Sequence, residues 1–310
     1  MSRINLAIIG YGHMSETTYC PLLHHFADRV NLVGLVEPDE HKRAAALRTY
    51  AFGGGYGEVG EMLAEARPDA ALVLTPAATH YGIIGPLLEA GVDVYTEKPD
   101  TAELVHAREL VDLAEREQRV YQVGQNRLFM TALTRAKEFL GDGPVDFILA
   151  EKSKTIRRTD ADYMLDDSIH VLSPLLWLAG DVAEVLSVTH VPERLVTAHF
   201  RLASGGAAQL VRHVDSGTWV ERFLLHAEAR TININVPDAA ELYAGGQQQG
   251  EAHVGRVKML FGTAELQGFR DALAHFLDCV GNRTEPRGSA KSLLRVHEIM
   301  DEVFAQGGIA

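Results

Sequence analysis

The lysine of a Glu-Lys-Pro triplet is the residue of this sequence best suited to acid/base chemistry. The triplet Glu97-Lys98-Pro99 closes a short apolar run at residues 92–95, just after Gly91. A lysine can release a proton near neutral pH when its surroundings are tuned, whereas an arginine stays charged. Lysine accounts for only 7 of the 29 basic residues. Lys98 is therefore a candidate acid or base, since arginine and not lysine is the usual basic residue of this chain.

Asp166 and His170 form a second candidate pair. They are four residues apart in a segment whose pattern predicts a helix, so their side chains share one face. A carboxylate in that place fixes the imidazole tautomer and supports its charged form, and with Lys98 the pair could move the proton of a substrate hydroxyl. The alternatives are a structural contact or a metal site. No third ligand at metal-binding spacing stands out among the 14 histidines, so we predict no metal.

A glycine-rich turn near the N-terminus predicts that a dinucleotide binds beside these candidate acid/base residues. Gly10-Tyr11-Gly12-His13-Met14-Ser15 matches Gly-x-Gly-x-x-Gly at two of three glycines, after a predicted strand and before a predicted helix. Gly12 would let backbone amides approach a pyrophosphate at the start of that helix, so Gly10, Gly12, His13 and Met14 are expected to bind a dinucleotide. The alternative is a tight strand-to-helix turn in an unrelated doubly wound protein.

Glu37 is the candidate for selecting between NAD and NADP. It ends the second predicted strand, where a carboxylate can accept hydrogen bonds from ribose hydroxyls and repel a 2'-phosphate. This favours NAD and makes NADP the less favoured cofactor. Asp39 competes for the same role, although the sequence favours it as a helix cap.

Further cofactor contacts are expected where later strands end. Thr75-Pro76 closes the predicted strand 70–74, and His80 opens the next helix, at the sheet edge where open α/β folds bind ligands. Glu97 lies at the corresponding end of the next strand. For His80, helix capping or packing is the alternative to a ligand contact.

The elements that must position these residues divide the chain at about residue 125. Residues 1–125 alternate short apolar runs with segments whose apolar residues recur every three or four positions, which predicts a doubly wound parallel sheet. Residues 126–310 begin and end with helical patterns around several alternating runs, which predicts an α+β domain with antiparallel strands. The Gly- and Gln-rich residues 237–255 are expected to form a surface loop.

Composition excludes several classes of protein. A formal net charge of −13 argues against a nucleic-acid partner, because Arg157, Arg158, Lys152 and Lys154 form the only basic cluster. No apolar run is long enough to span a membrane. The N-terminus reads as a first strand and not as a signal peptide, so we expect a cytoplasmic location. Cys20 and Cys279 fall in different predicted domains and are expected to be reduced and buried.

Taken together, these motifs resemble the Gfo/Idh/MocA oxidoreductases. The resemblance rests on Gly10-x-Gly12, Thr75-Pro76 with His80, Glu97-Lys98-Pro99, and Asp166-x-Ser168-x-His170. It implies an N-terminal Rossmann domain that holds NAD(P) and a C-terminal open-faced mixed sheet that carries the substrate and a homodimer or homotetramer interface. It also implies that Lys98, Asp166 and His170 are catalytic and that Arg127 is a family feature near the cofactor.

The expected activity is NAD-dependent hydride transfer between nicotinamide and a secondary alcohol or ketone of a sugar, cyclitol or related polyol. One alternative is a cofactor-binding regulator or sensor without turnover, and another is redox-neutral use of NAD in glycoside hydrolysis. The sequence departs from the family pattern at Ser15, Asp100, Ser168 and Ser173. Ser173 stands where many members have an aspartate that binds substrate hydroxyls, so the substrate is not transferred from the family.

Overall fold

A computed structural model describes residues 3–101, 103–253 and 263–309. In this part of the chain, no helix combines the length and apolar character needed to cross a membrane. The chain forms two compact units: the first comprises Met1–Gly124 with Phe269–Leu294, and the second comprises Gln125–Gly268 with Arg295–Ala310.

The segment 269–294 returns to the first unit, although the sequence placed it in the second domain. The amide of Val123 donates to the carbonyl of Gly288 over 2.9 Å. The buried Gln122 side chain donates to the carbonyl of Ala272 over 3.1 Å. These contacts join residues about 150 positions apart, and no local pattern in the sequence signals such a pairing.

The first unit contains a six-stranded sheet in which all paired strands are parallel. Its order is β3-β2-β1-β4-β5-β6. The order in which successive strands are added reverses between β1 and β4, although these two strands are parallel. The central strands are buried on both faces, as their continuous apolar runs predict. The doubly wound fold is confirmed. The strands are β1 (Ile4–Ile9), β2 (Val30–Val36), β3 (Gly55–Tyr56), β4 (Ala70–Val73), β5 (Asp93–Thr96) and β6 (Tyr121–Val123).

The second unit contains an eight-stranded mixed sheet. Its order is β14-β13-β12-β11-β7-β10-β9-β8, and every pair is antiparallel except β7 with β10. The predicted α+β class with a mixed sheet is confirmed. The strands are β7 (Phe147–Ser153), β8 (Val182–Val191), β9 (Leu195–Leu202), β10 (Ala207–His213), β11 (Val220–Ala227), β12 (Arg230–Asn235), β13 (Ala239–Ala244) and β14 (Gln247–His253).

Helices connect the strands of the first unit and flank those of the second. A π-helical turn, Ser15–Tyr19, follows β1, and a 3-10 turn, Asn126–Phe129, opens the second unit. The α-helices are α1 (Cys20–Leu22), α2 (Glu40–Thr49), α3 (Val59–Ala66), α4 (His80–Glu89), α5 (Leu104–Arg116), α6 (Thr131–Leu140), α7 (Ala161–Ala179), α8 (Thr263–Leu266), α9 (Phe269–Asn282) and α10 (Ala290–Gly307).

The predicted loop at residues 237–255 is wrong, because most of this segment forms the hairpin β13–β14. Gly245 and Gly246 both have positive φ, +59° and +76°, which suits the two-residue turn of a right-twisted hairpin. The sequence pattern does not mark this strand because β14 is an exposed edge strand of polar residues, one glycine and one alanine, without the apolar alternation that marks a half-buried strand.

Both cysteines are buried and free, as predicted. Cys20 and Cys279 both lie in the first unit, however, and not in different domains. Burial raises the pKa of the Cys20 thiol to about 12. This thiol therefore stays protonated and unreactive at neutral pH.

Candidate active site

The turn after β1 needs glycine at its first position. Gly10 has φ +92°, and its amide donates to the carbonyl of Val36 over 2.8 Å. A Cβ at Gly10 would lie 2.8 Å from Cγ2 of Thr75 and 3.1 Å from the carbonyl carbon of Leu74. The ends of β1, β2 and β4 thus meet around this turn, at the switch point where doubly wound folds bind ligands.

Gly12 occupies a different environment in the same turn. A Cβ at Gly12 would meet no atom within 4 Å, so the turn borders open space on this side. His13 beside it is exposed and Met14 is half-buried. The open space is what a pyrophosphate needs in order to approach the backbone amides of the turn.

Ser15 compensates for the missing third glycine of the motif. Its buried hydroxyl donates to the carbonyl of Gly10 over 2.6 Å and so ties the start of the helical segment to the turn. The third glycine normally permits close helix-to-strand packing. In this chain a side-chain hydrogen bond fixes the same junction, and the helical segment begins with the π-helical turn Ser15–Tyr19.

The carboxylate of Glu37 supports the glycine turn from the end of β2. Its Oε2 accepts from the amide of Tyr11 over 2.8 Å, and its Oε1 accepts from the amide of Asp39 over 3.0 Å. Asp39 in turn caps α2 by accepting from the amides of His41 and Lys42. The interpretation of Asp39 as a helix cap is confirmed, and Glu37 is the carboxylate next to the turn.

His80 links the loops that follow β4 and β5. The imidazole is 1% exposed, with Nε2 2.8 Å from the carbonyl of Thr75 and Nδ1 3.0 Å from the carbonyl of Pro99. The structure thus places His80 as a buried brace beside Lys98, while Pro76 is exposed at the same edge. Direct contact of Thr75, Pro76 or His80 with a dinucleotide stays a prediction.

A tyrosine pair fixes Glu97 beside Lys98. The hydroxyl of Tyr19 donates to Oε1 of Glu97 and lies 3.0 Å from the hydroxyl of Tyr95, while the amide of Lys98 donates to Oε2 of Glu97 over 3.2 Å. Burial and the Glu97 charge raise the pKa of Tyr19 well above its ordinary value, so this hydroxyl stays a donor. Glu97 therefore orients the backbone that carries the half-buried Lys98. The peptide bond between Lys98 and Pro99 is cis.

The second unit carries Asp166 and His170 on α7. The helix begins at Ala161, after a cap in which the Asp160 side chain accepts from the amide of Tyr163. Asp166 and His170 are one turn apart and half-buried, and the spacing places both on one face. Lys98 belongs to the first unit and this pair to the second.

Metal-ligand geometry among the described residues occurs elsewhere. Glu241, Glu251 and His253 on β13 and β14 have ligand atoms within 4.8 Å of one another. Asp166 and His170 are not part of this group. It lies on an exposed edge hairpin, where acidic groups are common without an ion.

The sequence reasoning missed a buried charged cluster centred on Asp167, next to Asp166. Oδ1 of Asp167 accepts from Nζ of Lys152 over 2.8 Å and from Nζ of Lys154, and Oδ2 accepts from the guanidinium of Arg212. Lys152 is 1% exposed and Arg212 is fully buried. Arg212 on β10 pairs in register with Lys152 on β7.

Glu221 and Arg127 complete this cluster. Glu221 on β11 also pairs in register with Lys152, so three adjacent strands carry Arg212, Lys152 and Glu221 in one row. Both oxygens of Glu221 accept from Arg127, over 2.9 and 3.1 Å. We call these six residues the Asp167 cluster. Arg127 was expected near the cofactor, and in this structure it holds Glu221. Its cofactor contact stays a prediction.

The pKa values of the cluster reflect how two carboxylates are shared among four cations. Burial alone would raise the pKa of Asp167, but Arg212 and Lys152 outweigh burial and hold it well below its ordinary value. Burial lowers the pKa of Lys152 to about 7, although Glu221 and Asp167 favour its charged form. Asp167 is thus firmly ionised, whereas Lys152 is near its titration point at neutral pH.

Part of the cluster could have been found in the sequence. The sequence identifies Lys152 and Lys154 only as part of a basic segment. The apolar residues of β7 end before Lys152, so the apolar pattern alone does not mark its side chain as buried. The signal was a lysine on the buried face of a strand, which requires a carboxylate partner. The identity of that partner depends on the pairing of β7, β10 and β11.

Comparison with known proteins agrees with the fold. Residues 4–125 match the sequence model of a family described as "Oxidoreductase family, NAD-binding Rossmann fold". YceM of Salmonella typhimurium, which is named as an oxidoreductase, is 25% identical over 98% of this chain and 98% of its own length. A UDP-N-acetylglucosamine 3-dehydrogenase of Acidithiobacillus ferrooxidans is 28% identical over 68% of this chain and 67% of its own length.

A solved structure shows the same architecture over nearly the whole chain. The crystal structure of a dehydrogenase from Chromobacterium violaceum has a TM-score of 0.88 and 19% sequence identity, and the match covers 99% of this chain and 96% of that chain. At this level of identity the likeness shows the fold alone.

Proposed function

We propose, from the match of residues 4–125 to the model of this NAD-binding oxidoreductase family, that the protein is an NAD-dependent dehydrogenase of the Gfo/Idh/MocA type. It acts on a secondary alcohol or ketone of a sugar, cyclitol or related polyol. The observation that carries the proposal is the Gly10 turn at the switch point of the sheet, open at Gly12 and supported by Glu37. The name of the relative that acts on an N-acetylglucosamine nucleotide supports a sugar-like substrate.

The residues around the turn fit a dinucleotide. The open space at Gly12 admits a pyrophosphate to the backbone amides, and Glu37 places a negative charge where a ribose hydroxyl is bound in such folds. Bound NAD⁺ would supply the hydride acceptor for the carbinol carbon. Glu37 supports NAD as the cofactor in preference to NADP, because its charge repels a 2'-phosphate.

The chain's own residues would handle the proton. In the proposed reaction, Lys98 and His170 accept and relay the proton of the substrate hydroxyl, and Asp166 orients His170 through the shared face of α7. Glu97 and His80 are positioning residues for Lys98, since Glu97 accepts from the Lys98 amide and His80 braces Pro99.

Gly10 and Gly12 have separable roles that alanine substitution tests. Gly10→Ala is expected to destabilise the fold by at least about 2 kcal/mol, because it combines a positive φ with contact with Thr75. Gly12→Ala leaves stability within about 1 kcal/mol but raises the dissociation constant of NADH at least about tenfold, because its Cβ enters the pyrophosphate space. Urea unfolding and NADH fluorescence titration measure the two effects. Unchanged NADH affinity in Gly12→Ala would place the dinucleotide elsewhere.

Glu37→Gln tests the choice of cofactor. The substitution keeps the size of the side chain and removes the charge, so we expect the preference for NADH over NADPH to fall about 10- to 100-fold, as charge-assisted hydrogen bonds contribute ~1.5–3 kcal/mol. Arg43, which donates to the main-chain carbonyl of Glu37, is the nearby cation that would then favour a 2'-phosphate. Asp39→Asn is the matched control, since it removes the same charge two residues away and keeps the cap. An equal fall in the preference for NADH over NADPH in both variants would show that Glu37 has no special role.

A substrate panel tests the activity itself. Wild-type protein with NAD⁺ is incubated with sugars, cyclitols, polyols and sugar acids, and cofactor reduction is followed by absorbance. The proposal expects turnover with at least one secondary alcohol in the panel. Tight cofactor binding without reduction by any member would favour a regulator or sensor. The cytoplasmic location and the homodimer or homotetramer stay predictions, which cell fractionation and sedimentation check.

A further inference from the structure

The Asp167 cluster contains more positive than negative groups. Its cations are Arg127, Lys152, Lys154 and Arg212, and its two carboxylates are Asp167 and Glu221. Charged side chains inside a protein are normally matched by opposite charges, because unmatched burial is costly. Lys152 and Arg212 are the two innermost cations, and neither can be solvated by bulk water.

The oxygen atoms of the two carboxylates are already engaged. Lys152 and Lys154 share the single oxygen Oδ1 of Asp167, while Oδ2 is held by Arg212. Both oxygens of Glu221 accept from Arg127, and its nearest oxygen is 3.9 Å from Nζ of Lys152. The lysines therefore retain N–H donors that these two carboxylates do not occupy with short hydrogen bonds.

Two polar atoms beside the cluster lack a well-formed hydrogen bond. Nε of Arg212 and the hydroxyl of Tyr163 are both buried without one, although the Arg212 guanidinium lies close enough to the Tyr163 hydroxyl to act on its pKa. Buried polar groups are normally satisfied, so each such atom calls for an explanation. Here both atoms adjoin a site with excess positive charge. Burial raises the pKa of Tyr163, and the Asp167 charge raises it further while Arg212 opposes the shift.

The cluster has an outer side with an aromatic rim. Lys154 and Arg127 keep 14% and 15% of their side-chain surface exposed, unlike Lys152 and Arg212. Nζ of Lys154 lies 5.2 Å from the ring centre of Trp219 and 5.8 Å from that of Tyr163. Trp219 is 65% exposed. Small-ligand sites combine aromatic surface with a few placed polar or charged groups that orient the ligand, and this rim supplies both.

The cluster lies beside the proposed catalytic pair on α7. Asp167 follows Asp166 directly and precedes His170 by three residues, so all three fall within about one helical turn, a rise of ~5 Å. We propose that the Asp167 cluster binds an anionic group of the substrate, a carboxylate or a phosphate, while its hydroxyl is oxidised. This inference rests on the proposed function and narrows it to acidic sugars, acidic polyols or their phosphate esters. Lysine ammonium groups act as point charges and suit either anion.

A binding experiment without cofactor tests the inference independently of turnover. The melting temperature of wild-type protein is measured with glucuronate, with glucose 6-phosphate and with glucose, at equal ionic strength. We expect one of the two anions to raise it and glucose to leave it unchanged, and the anion that binds identifies the source of the charge. Lys154→Met keeps the aliphatic stem and leaves Asp167 paired with Lys152 and Arg212, so it should fold. It is expected to weaken anion binding at least tenfold by isothermal titration.

Arg157→Met is the matched control. Arg157 is an exposed cation three residues along the chain, paired with Asp215, so its loss changes net charge equally without touching the cluster. Its anion affinity should equal that of wild type. An equal loss in both variants, or equal binding of glucose and the two anions by wild-type protein, would overturn the inference.

Turnover then separates this inference from the proposed function. If anion binding depends on Lys154 but no panel member reduces NAD⁺, the anion site stands and the dehydrogenase proposal fails. If neutral polyols are oxidised as well as their acids and phosphates, and Lys154→Met lowers kcat/KM for neither, the dehydrogenase stands and the anion site fails.

Discussion

Lys98→Met is expected to lower kcat for polyol oxidation by about 10²- to 10⁴-fold, the range typical of a lost general acid or base. Methionine preserves the length and apolar stem of the side chain and removes only the ammonium group. The Lys98 amide donates to Glu97, and the substitution leaves this backbone bond in place, so the backbone should keep its position. Steady-state kinetics with the best panel substrate measures the effect.

Two controls show whether the loss is chemical. NADH affinity of Lys98→Met should stay within about threefold of wild type, a difference below ~0.7 kcal/mol. Lys291→Met removes an exposed lysine paired with Glu115 and should leave kcat unchanged. A kcat for Lys98→Met within a few-fold of wild type would exclude Lys98 from the proton transfer.

Asp167→Asn is expected to lower the free energy of unfolding by about 3–5 kcal/mol, as breaking a buried ion pair does. The substitution keeps the shape of the side chain but leaves Arg212 and Lys152 buried around a neutral amide. Urea unfolding, followed by a spectroscopic signal that arises in the second unit, measures the loss of free energy. Asp162→Asn, at an exposed position in the first turn of the same helix, should cost less than about 1 kcal/mol. Similar losses in the two variants would mean that the cluster does not stabilise the fold.

The same carboxylate gives stability a defined pH dependence. The pKa of Asp167 is depressed in the folded protein, so its contribution is fully present above its unfolded pKa of about 3.9. That contribution is lost as the pH falls below about 4 toward the folded pKa. Unfolding free energy measured between about pH 6 and pH 3 should therefore fall more steeply for wild type than for Asp167→Asn. Parallel curves would show that Asp167 titrates equally in both states.

The features that local patterns determine were predicted well. Gly10 marks the turn because its positive φ and the nearby Thr75 tolerate few other residues, Gly12 marks its open side, and continuous apolar runs mark the parallel strands. The role of Asp39 as a helix cap follows from its position directly before α2. These predictions needed information only from neighbouring positions.

The features that depend on distant pairing were not predictable. The Ser15 hydroxyl donates to the Gly10 carbonyl and so takes over the role of the third glycine of the motif. Comparison with the motif alone shows Ser15 only as a mismatch. The Asp167 cluster arises because β7 lies between β10 and β11, so residues 60 positions apart become neighbours. The hairpin β13–β14 lacks apolar alternation because its edge strand is solvated.

Direct transfer of a labelled hydride tests the central claim most directly. A panel substrate carrying deuterium on its carbinol carbon is incubated with NAD⁺ and the wild-type protein, and the reduced cofactor is examined by NMR. The account predicts deuterium at C4 of the nicotinamide ring with wild type and a loss of that signal with Lys98→Met. Reduced cofactor without the label, or a labelled cofactor formed equally by both proteins, would contradict it.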